Sequence, residues 1–317
     1  MKKTQSQIKQ KYGWGFLIVL LITFGFLSMI FAGIVSLFVD DGISYPSGNI
    51  AMIPIKGIII SDPASGFISS AAASSTEIVK MIEKADKDTA IKGIIFEIDS
   101  PGGMVVPTDE IALAIKRSNK TTAAWIRSAG ASGAYWIAAS TDRIFVHRMS
   151  ATGSIGVIGS YLQFSGLLEK YNVTYERLVS GKYKDMGSPY KDMTSDEREI
   201  FQNLIDKMRH FFIEEIAENR NLSYDYVENL ATGQIYLGYE AKELGLIDEI
   251  GGKEEVKEYL KKELNLTKID IAQYKKEKTL IDILSSVFND NSFHIGRGIG
   301  SSIAAKSAEP DYPMIWW

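Results

Sequence analysis

The chain has 317 residues, 45% of them hydrophobic and 23% charged, with no cysteine and a formal net charge of −4. That balance supports a full hydrophobic core and excludes a disordered chain, and the missing cysteines exclude a disulfide framework. Taking the four positive charges of Lys2, Lys3, Lys9 and Lys11 away from −4 leaves −8 on the remainder, which has no basic block able to follow a phosphate backbone, so nucleic acid is not an expected partner.

Residues 14–39 then run for 26 positions without a charged side chain, against the ~20 that a helix needs to cross a hydrocarbon core. The run predicts a transmembrane anchor, with 1–13 as a cytoplasmic N-terminus. A cleaved signal peptide would have a shorter apolar region, ~7–15 residues, and a small-x-small site, and no clear one precedes Asp40. With lysines before the run and Asp40 and Asp41 after it, the positive end stays inside. The expectation is a single-pass protein of the cell membrane, with everything after Asp41 outside the cytoplasm.

Gly, Ser and Pro make 40–49 a linker, and a domain is expected over 50–275. Residues 50–60 and 91–98 read as strands. Ile78, Met81 and Ile82 give 75–85 a helical spacing, and 107–117 is helical too. Further strands at 122–126, 143–147 and 174–179 alternate with helices starting near Ser132 and Phe164. Such alternation predicts an α/β layer fold with parallel strands. From Ser195 onward, Phe201, Leu204, Ile205, Met208, Phe212 and Ile216 predict one long helix. Helices over 223–230, 239–244 and 253–264 and a strand over 268–274 follow, and 276–317 reads as a C-terminal tail.

Ser132 stands in Ser-Ala-Gly-Ala-Ser-Gly-Ala-Tyr-Trp at 128–136, and Lys184 follows 52 positions later. A serine nucleophile needs a proton acceptor. His147, His210 and His294 are few and ordinarily placed, which favours a lysine over a histidine triad. Small residues around a serine also mark a close-packed helix start, so both readings stand on residue types alone. Asp99-Ser-Pro-Gly-Gly103 follows a predicted strand, where two glycines let the backbone turn and aim an N–H into a cleft. Together with the Gly133 N–H it would bracket a tetrahedral oxyanion.

Four motifs in order, Asp-Ser-Pro-Gly-Gly at 99–103, Ala-Ser-Gly-Ala-Tyr-Trp at 131–136, Thr-Gly-Ser-Ile-Gly-Val-Ile at 152–158 and Ser-Gly-Lys-Tyr-Lys-Asp at 180–185, resemble the signal peptide peptidase A (protease IV) family, over roughly 50–252. The resemblance implies a Clp protease/crotonase-like α/β fold of repeated β-β-α units, preceded by one N-terminal transmembrane helix. It implies Ser132 as nucleophile, Lys184 as general base, Ser154 as the hydroxyl that orients the lysine, and Gly103 and Gly133 as the oxyanion donors. Ser128, Lys182 and Lys191 fall off the motif positions. Ala134, where a second glycine is frequent, and a shorter stretch between the glycine pair and the nucleophile depart from the pattern without removing a reacting group.

The implied activity is that of a serine endopeptidase, without metal or cofactor, that hydrolyses residual signal peptides or other short apolar peptides at the membrane and assembles as a homo-oligomer. The alternatives are a protease for one membrane-protein partner, of the stomatin-associated type, and a non-catalytic crotonase-like scaffold. The tail at 301–308, small and apolar, imitates such a substrate. A lysine base must be neutral, so its pKa has to fall by about three pH units from ~10.4, with burial as the expected cause. Asp185 is expected to turn its carboxylate away from it.

Overall fold

Ile50, Ala51, Met52, Ile53 and Ile55 are all buried, without the alternation of a half-exposed strand. Such a run fits only a strand covered on both faces, which is the situation inside a parallel sheet. The computed structural model describes residues 15–31, 43–44, 47–62 and 72–276. Residues 45–275 form one compact unit, and 1–44 with 276–317 form another.

In the first of these units, β1 (Ile50–Lys56) stops at Gly57, whose φ of 79° breaks the expected 50–60 strand and starts β2 (Ile58–Ile60) on a new course. There β2 pairs with β3 (Ala72–Ser74). The helix α1 (Ser75–Lys87), capped by Ser74, carries the chain to β4 (Gly93–Ser100). Helix α2 (Val105–Arg117) leads on to β5 (Thr121–Ala131), and α3 (Gly133–Ala139) to β6 (Arg143–Val146). Each helix returns the chain so that the next strand runs parallel to the last, as the sequence alternation predicts.

Later elements complete the sheet. The strand β7 (Ala151–Gly153) lies along the far half of β5, and β8 (Ile235–Leu237) returns antiparallel to it. At the two edges lie β9 (Glu249–Ile250), beside β6, and β10 (Ile271–Gln273), beside β1. The result is an eight-stranded, mainly parallel sheet in the order β9-β6-β5-β4-β1-β10, with β7 and β8 off that path. Helix α8 (Lys253–Glu263) seals one region by setting Val256 and Leu260 against Ile50, Met52, Ile95 and Phe145. Each fully buried side chain of this kind contributes ~1.5–3 kcal/mol.

The long helix is α5 (Ser195–Arg220). Thr194 and Glu197 form a reciprocal capping box at its start, and Asn221, left-handed at φ 53°, ends it. Phe212, Ile213 and Ile216 are buried, whereas Leu204, Met208 and Phe211 are exposed. Between β7 and α5 lies α4 (Ser165–Lys170), and after α5 come α6 (Tyr224–Leu230) and α7 (Gly238–Glu243). No strand forms over 174–179. Those residues are exposed and pair with no strand among the described residues, and an alternating run becomes a strand only where a neighbouring edge accepts its hydrogen bonds.

Of the second unit, residues 15–31 are helical, with Phe16, Leu21, Phe24 and Phe26 exposed. Among the described residues, no helix is long and apolar enough to cross a membrane. The rest of the expected 14–39 span and the tail at 301–308 lie outside the described residues.

Candidate active site

Parallel strands end on the same side, so the C-terminal ends of β4 and β5 deliver their following loops to one place. The register Ser100↔Gly130 puts Pro101-Gly102-Gly103 beside Ser132. Gly102 has a φ of 100°, and a Cβ added there would lie 2.8 Å from the Ala131 carbonyl oxygen and 2.8 Å from the Ser132 Cβ. Only glycine permits so close an approach. Ser100, fully buried, fastens the loop from beneath: its Oγ donates to the Gly57 carbonyl at 2.6 Å and accepts from the Gly102 N–H at 3.1 Å. The Ile59 carbonyl accepts the Met104 N–H at 2.9 Å. The Gly103 N–H is left without a protein acceptor among the described residues, as is that of Gly133 at the start of α3.

Ser132 occupies the turn from β5 into α3 at φ 54° and ψ −127°, a conformation that costs a residue with a side chain ~1–3 kcal/mol. The surroundings enforce it. The Ser132 N–H donates to the Gly153 carbonyl at 2.8 Å, and its own carbonyl accepts from the Tyr135 N–H at 2.9 Å and the Trp136 N–H at 3.0 Å. Every residue of α3 is buried, so the turn cannot relax by shifting the helix. A Cβ on Gly133 would meet the Thr108 Oγ1 at 2.4 Å, which locks α2 against the same turn.

Ser154, also at positive φ, follows β7. Its N–H donates to the Gln234 carbonyl at 2.8 Å and its Oγ to the Gly233 carbonyl at 3.3 Å. Gly103, Ser132, Gly133 and Ser154 all line one cavity of about 460 Å³. Its walls include Val105, Trp136, Val157, Ile158 and Phe212, with Trp136 and Phe212 stacked at 4.9 Å between ring centroids. Arg209 completes a side, and its guanidinium donates to the Ala231 carbonyl at 3.2 Å and so holds the 231–233 wall.

Lys184 does not line this cavity. It sits exposed in the segment between α4 and α5, where its N–H donates to the Gly181 carbonyl at 3.1 Å. The expected burial is not supplied by the chain's own fold. Two other lysines of the segment are engaged: Lys182 pairs with Asp196 at 2.7 Å, and Lys191 with the buried Glu197 at 2.6 Å. Hydrogen bonding to Asp196 pushes the Lys182 ammonium above the ordinary lysine range, so that residue stays charged. Lys184 has no such partner among the described residues. Asp185 gives its carboxylate to Arg177, whose hydrogen bonds hold the carboxyl below the usual range.

Sequence reasoning about chemistry passed over Ser100, Thr108, Arg209 and the 231–233 wall. Ser100 lies inside a motif already singled out, and only its buried position discloses its task. Phe212 belongs to the helical stripe of α5 and serves as core and cavity wall at once. Nothing in Ala-Thr-Gly at 231–233 signals a role.

The profile of peptidase family S49 matches residues 114–267, a range that holds Ser132, Gly133, Ser154 and Lys184 but not Gly103. A candidate protease of Methanocaldococcus jannaschii is 32% identical over 229 residues, 71% of this chain and 71% of that protein. The candidate signal peptide peptidase SppA of Enterococcus faecium is 36% identical over 234 residues, 73% of this chain and 68% of its own. The chloroplastic serine protease SPPA of Arabidopsis thaliana is 28% identical over 275 residues, 83% of this chain and 38% of that protein.

Proposed function

The chain belongs to the signal peptide peptidase A family, peptidase family S49, and is a serine peptidase; from that membership we propose that Ser132 is its nucleophile and Lys184 its general base, with the lysine arriving from a second copy of the chain. The observation that carries this is the strained Ser132 turn, open to a cavity also lined by Gly103 and Gly133, whose N–H groups have no protein acceptor among the described residues. In the reaction, the Ser132 Oγ attacks the scissile carbonyl carbon as its proton passes to the neutral Lys184 amine. The carbonyl oxygen takes up negative charge between the Gly103 and Gly133 N–H groups. Collapse breaks the C–N bond, the leaving amine takes the proton from the lysine, and a water repeats the sequence on the acyl-enzyme. The Ser154 hydroxyl orients the amine.

Supply of the lysine in trans is supported by three facts: Lys184 is exposed, it has no partner among the described residues, and the cavity beside Ser132 lacks it. Exposed apolar side chains support self-association, since Ile158, Leu162, Leu178 and Phe211 are 90%, 73%, 95% and 60% exposed. Entry of Lys184 into the cavity of a second copy would also desolvate the lysine, which is the route to a neutral amine. Coexpression tests it: Ser132→Ala and Lys184→Ala chains should each be inactive alone and regain hydrolysis together. Folded but inactive mixed assemblies would rule out the arrangement in trans.

Substrates are short apolar peptides, including signal peptides left in the membrane after secretion. The valine, isoleucine and aromatic cavity walls support that class. A cleavage survey with peptide libraries should return small and apolar residues beside the cut, and charged residues on both sides would count against it. Anchoring through 14–39, with the catalytic unit outside the cytoplasm, is supported by the exposed apolar helix at 15–31 and the four lysines before it. Alkaline carbonate should leave the protein with the membrane pellet; release into the supernatant would refute the anchor.

A further inference from the structure

The turn that carries Lys184 is bracketed by one side chain. Arg177 donates from Nη2 to the Asp185 Oδ1 at 2.7 Å and to the Lys182 carbonyl at 3.0 Å, and from Nε to the Asp185 Oδ2. Its contacts therefore fall two residues before Lys184 and on the residue after it, while the Lys184 side chain between them has no partner among the described residues. The Asp185 side chain is only 11% exposed.

We propose that Arg177 is a positioning residue for Lys184, fixing the turn through a carboxylate and a carbonyl while it neutralises the Asp185 charge next to the base. The inference rests on the reading of Lys184 as general base.

A lysine works as a base only when neutral, and an uncompensated carboxylate beside it stabilises the ammonium instead. A guanidinium stays protonated at any working pH, so its pairing with Asp185 cancels that field without titrating. Two parallel N–H···O bonds plus a third to a carbonyl require a planar fork, which a lysine at 177 cannot supply. Of the other charged groups of this segment, Lys182 pairs with Asp196 and Lys191 with Glu197, while Glu176, exposed beside Arg177 in the chain, has no side-chain partner among the described residues. Tyr175 acts on Arg177 and Tyr183 on Lys182. Loss of Arg177 removes the hydrogen-bonded cation from Asp185 and leaves it only the more distant field of Lys191.

The experiment is the pH dependence of kcat/KM for the full-length protein in detergent, on a fluorogenic apolar peptide. Arg177→Gln should lower kcat at neutral pH about tenfold and move the rising limb of the profile to higher pH by about one unit. Adding Asp185→Asn to that variant should return the limb to its wild-type position while leaving kcat reduced. Arg177→Lys, which keeps the charge and loses the fork, should leave the limb in place with a lower kcat. A wild-type rate and profile in Arg177→Gln, or an equal loss in the single and double variants with an unmoved limb, overturns the proposal even where Lys184→Ala is inactive. Full activity in Lys184→Ala would instead remove the reading beneath it.

Discussion

Ser132 holds a backbone conformation that few residues with a side chain adopt, and its cost is met by hydrogen bonds on both sides and by the buried α3. Ser132→Ala keeps the turn and deletes the nucleophile, so hydrolysis should vanish while the melting temperature changes little. The Ser154 hydroxyl makes a single long bond, to the Gly233 carbonyl, and Ser154→Ala should lower kcat roughly tenfold, the worth of about one hydrogen bond. A loss as deep as that of Ser132→Ala would give Ser154 a different role. Ser100 touches no substrate, yet it holds the Gly57 carbonyl and the Gly102 N–H together in a fully buried place. Ser100→Ala should cost ~1–3 kcal/mol in urea unfolding and reduce kcat more than it changes KM, because Gly103 loses its fixed aim. Undiminished kcat would mean that the loop is set without the hydroxyl.

At the scale of the element, α5 carries two tasks from its two ends. Its C-terminal half buries Phe212 against Trp136 in the cavity wall. Its first turn holds the segment that bears Lys184, since Glu197 caps the helix and binds Lys191, and Asp196 binds Lys182. Hydrogen bonds from Lys191 and then from the Thr194 N–H lower the Glu197 pKa below its ordinary 4.5. A group whose folded pKa is depressed contributes stability that is fully present above the unfolded value and is lost as pH falls toward the folded one. Glu197→Gln should therefore lower the melting temperature at neutral pH, with a gap from wild type that narrows below pH 4.5. A gap that is constant with pH would mean that the ion pair is not its source. The helix itself was legible from its start signal, Thr194 followed by Glu197, and from its apolar spacing. What its exposed apolar residues serve is not written in that spacing, because a stripe facing a core and a stripe facing another copy look alike.

For the whole molecule, the proposed assembly ties stability to catalysis. Leu178 is almost wholly exposed among the described residues. Leu178→Asp should leave a single chain folded, reduce the sedimentation coefficient of the detergent-solubilised protein and abolish hydrolysis. Retention of both oligomer and activity would move the interface elsewhere.

The α/β layering, the parallel sheet and the grouping of Ser132 with Gly103 follow from features local in sequence: apolar runs separated by amphipathic helices, and glycines where strands end. Local rules reach that far because strand length, helix period and turn chemistry act over a few residues. The break at Gly57 and the missing strand at 174–179 depended on tertiary partners, since a strand exists only where another strand's edge meets it. Tertiary structure alone also brought Gly233 to Ser154, Arg209 to the 231–233 wall and Arg177 to Asp185, and left Lys184 outside the cavity beside Ser132. Those contacts depend on how the β7–β8 return and the α4–α5 segment lie in space, and no spacing along the chain encodes a distance between them.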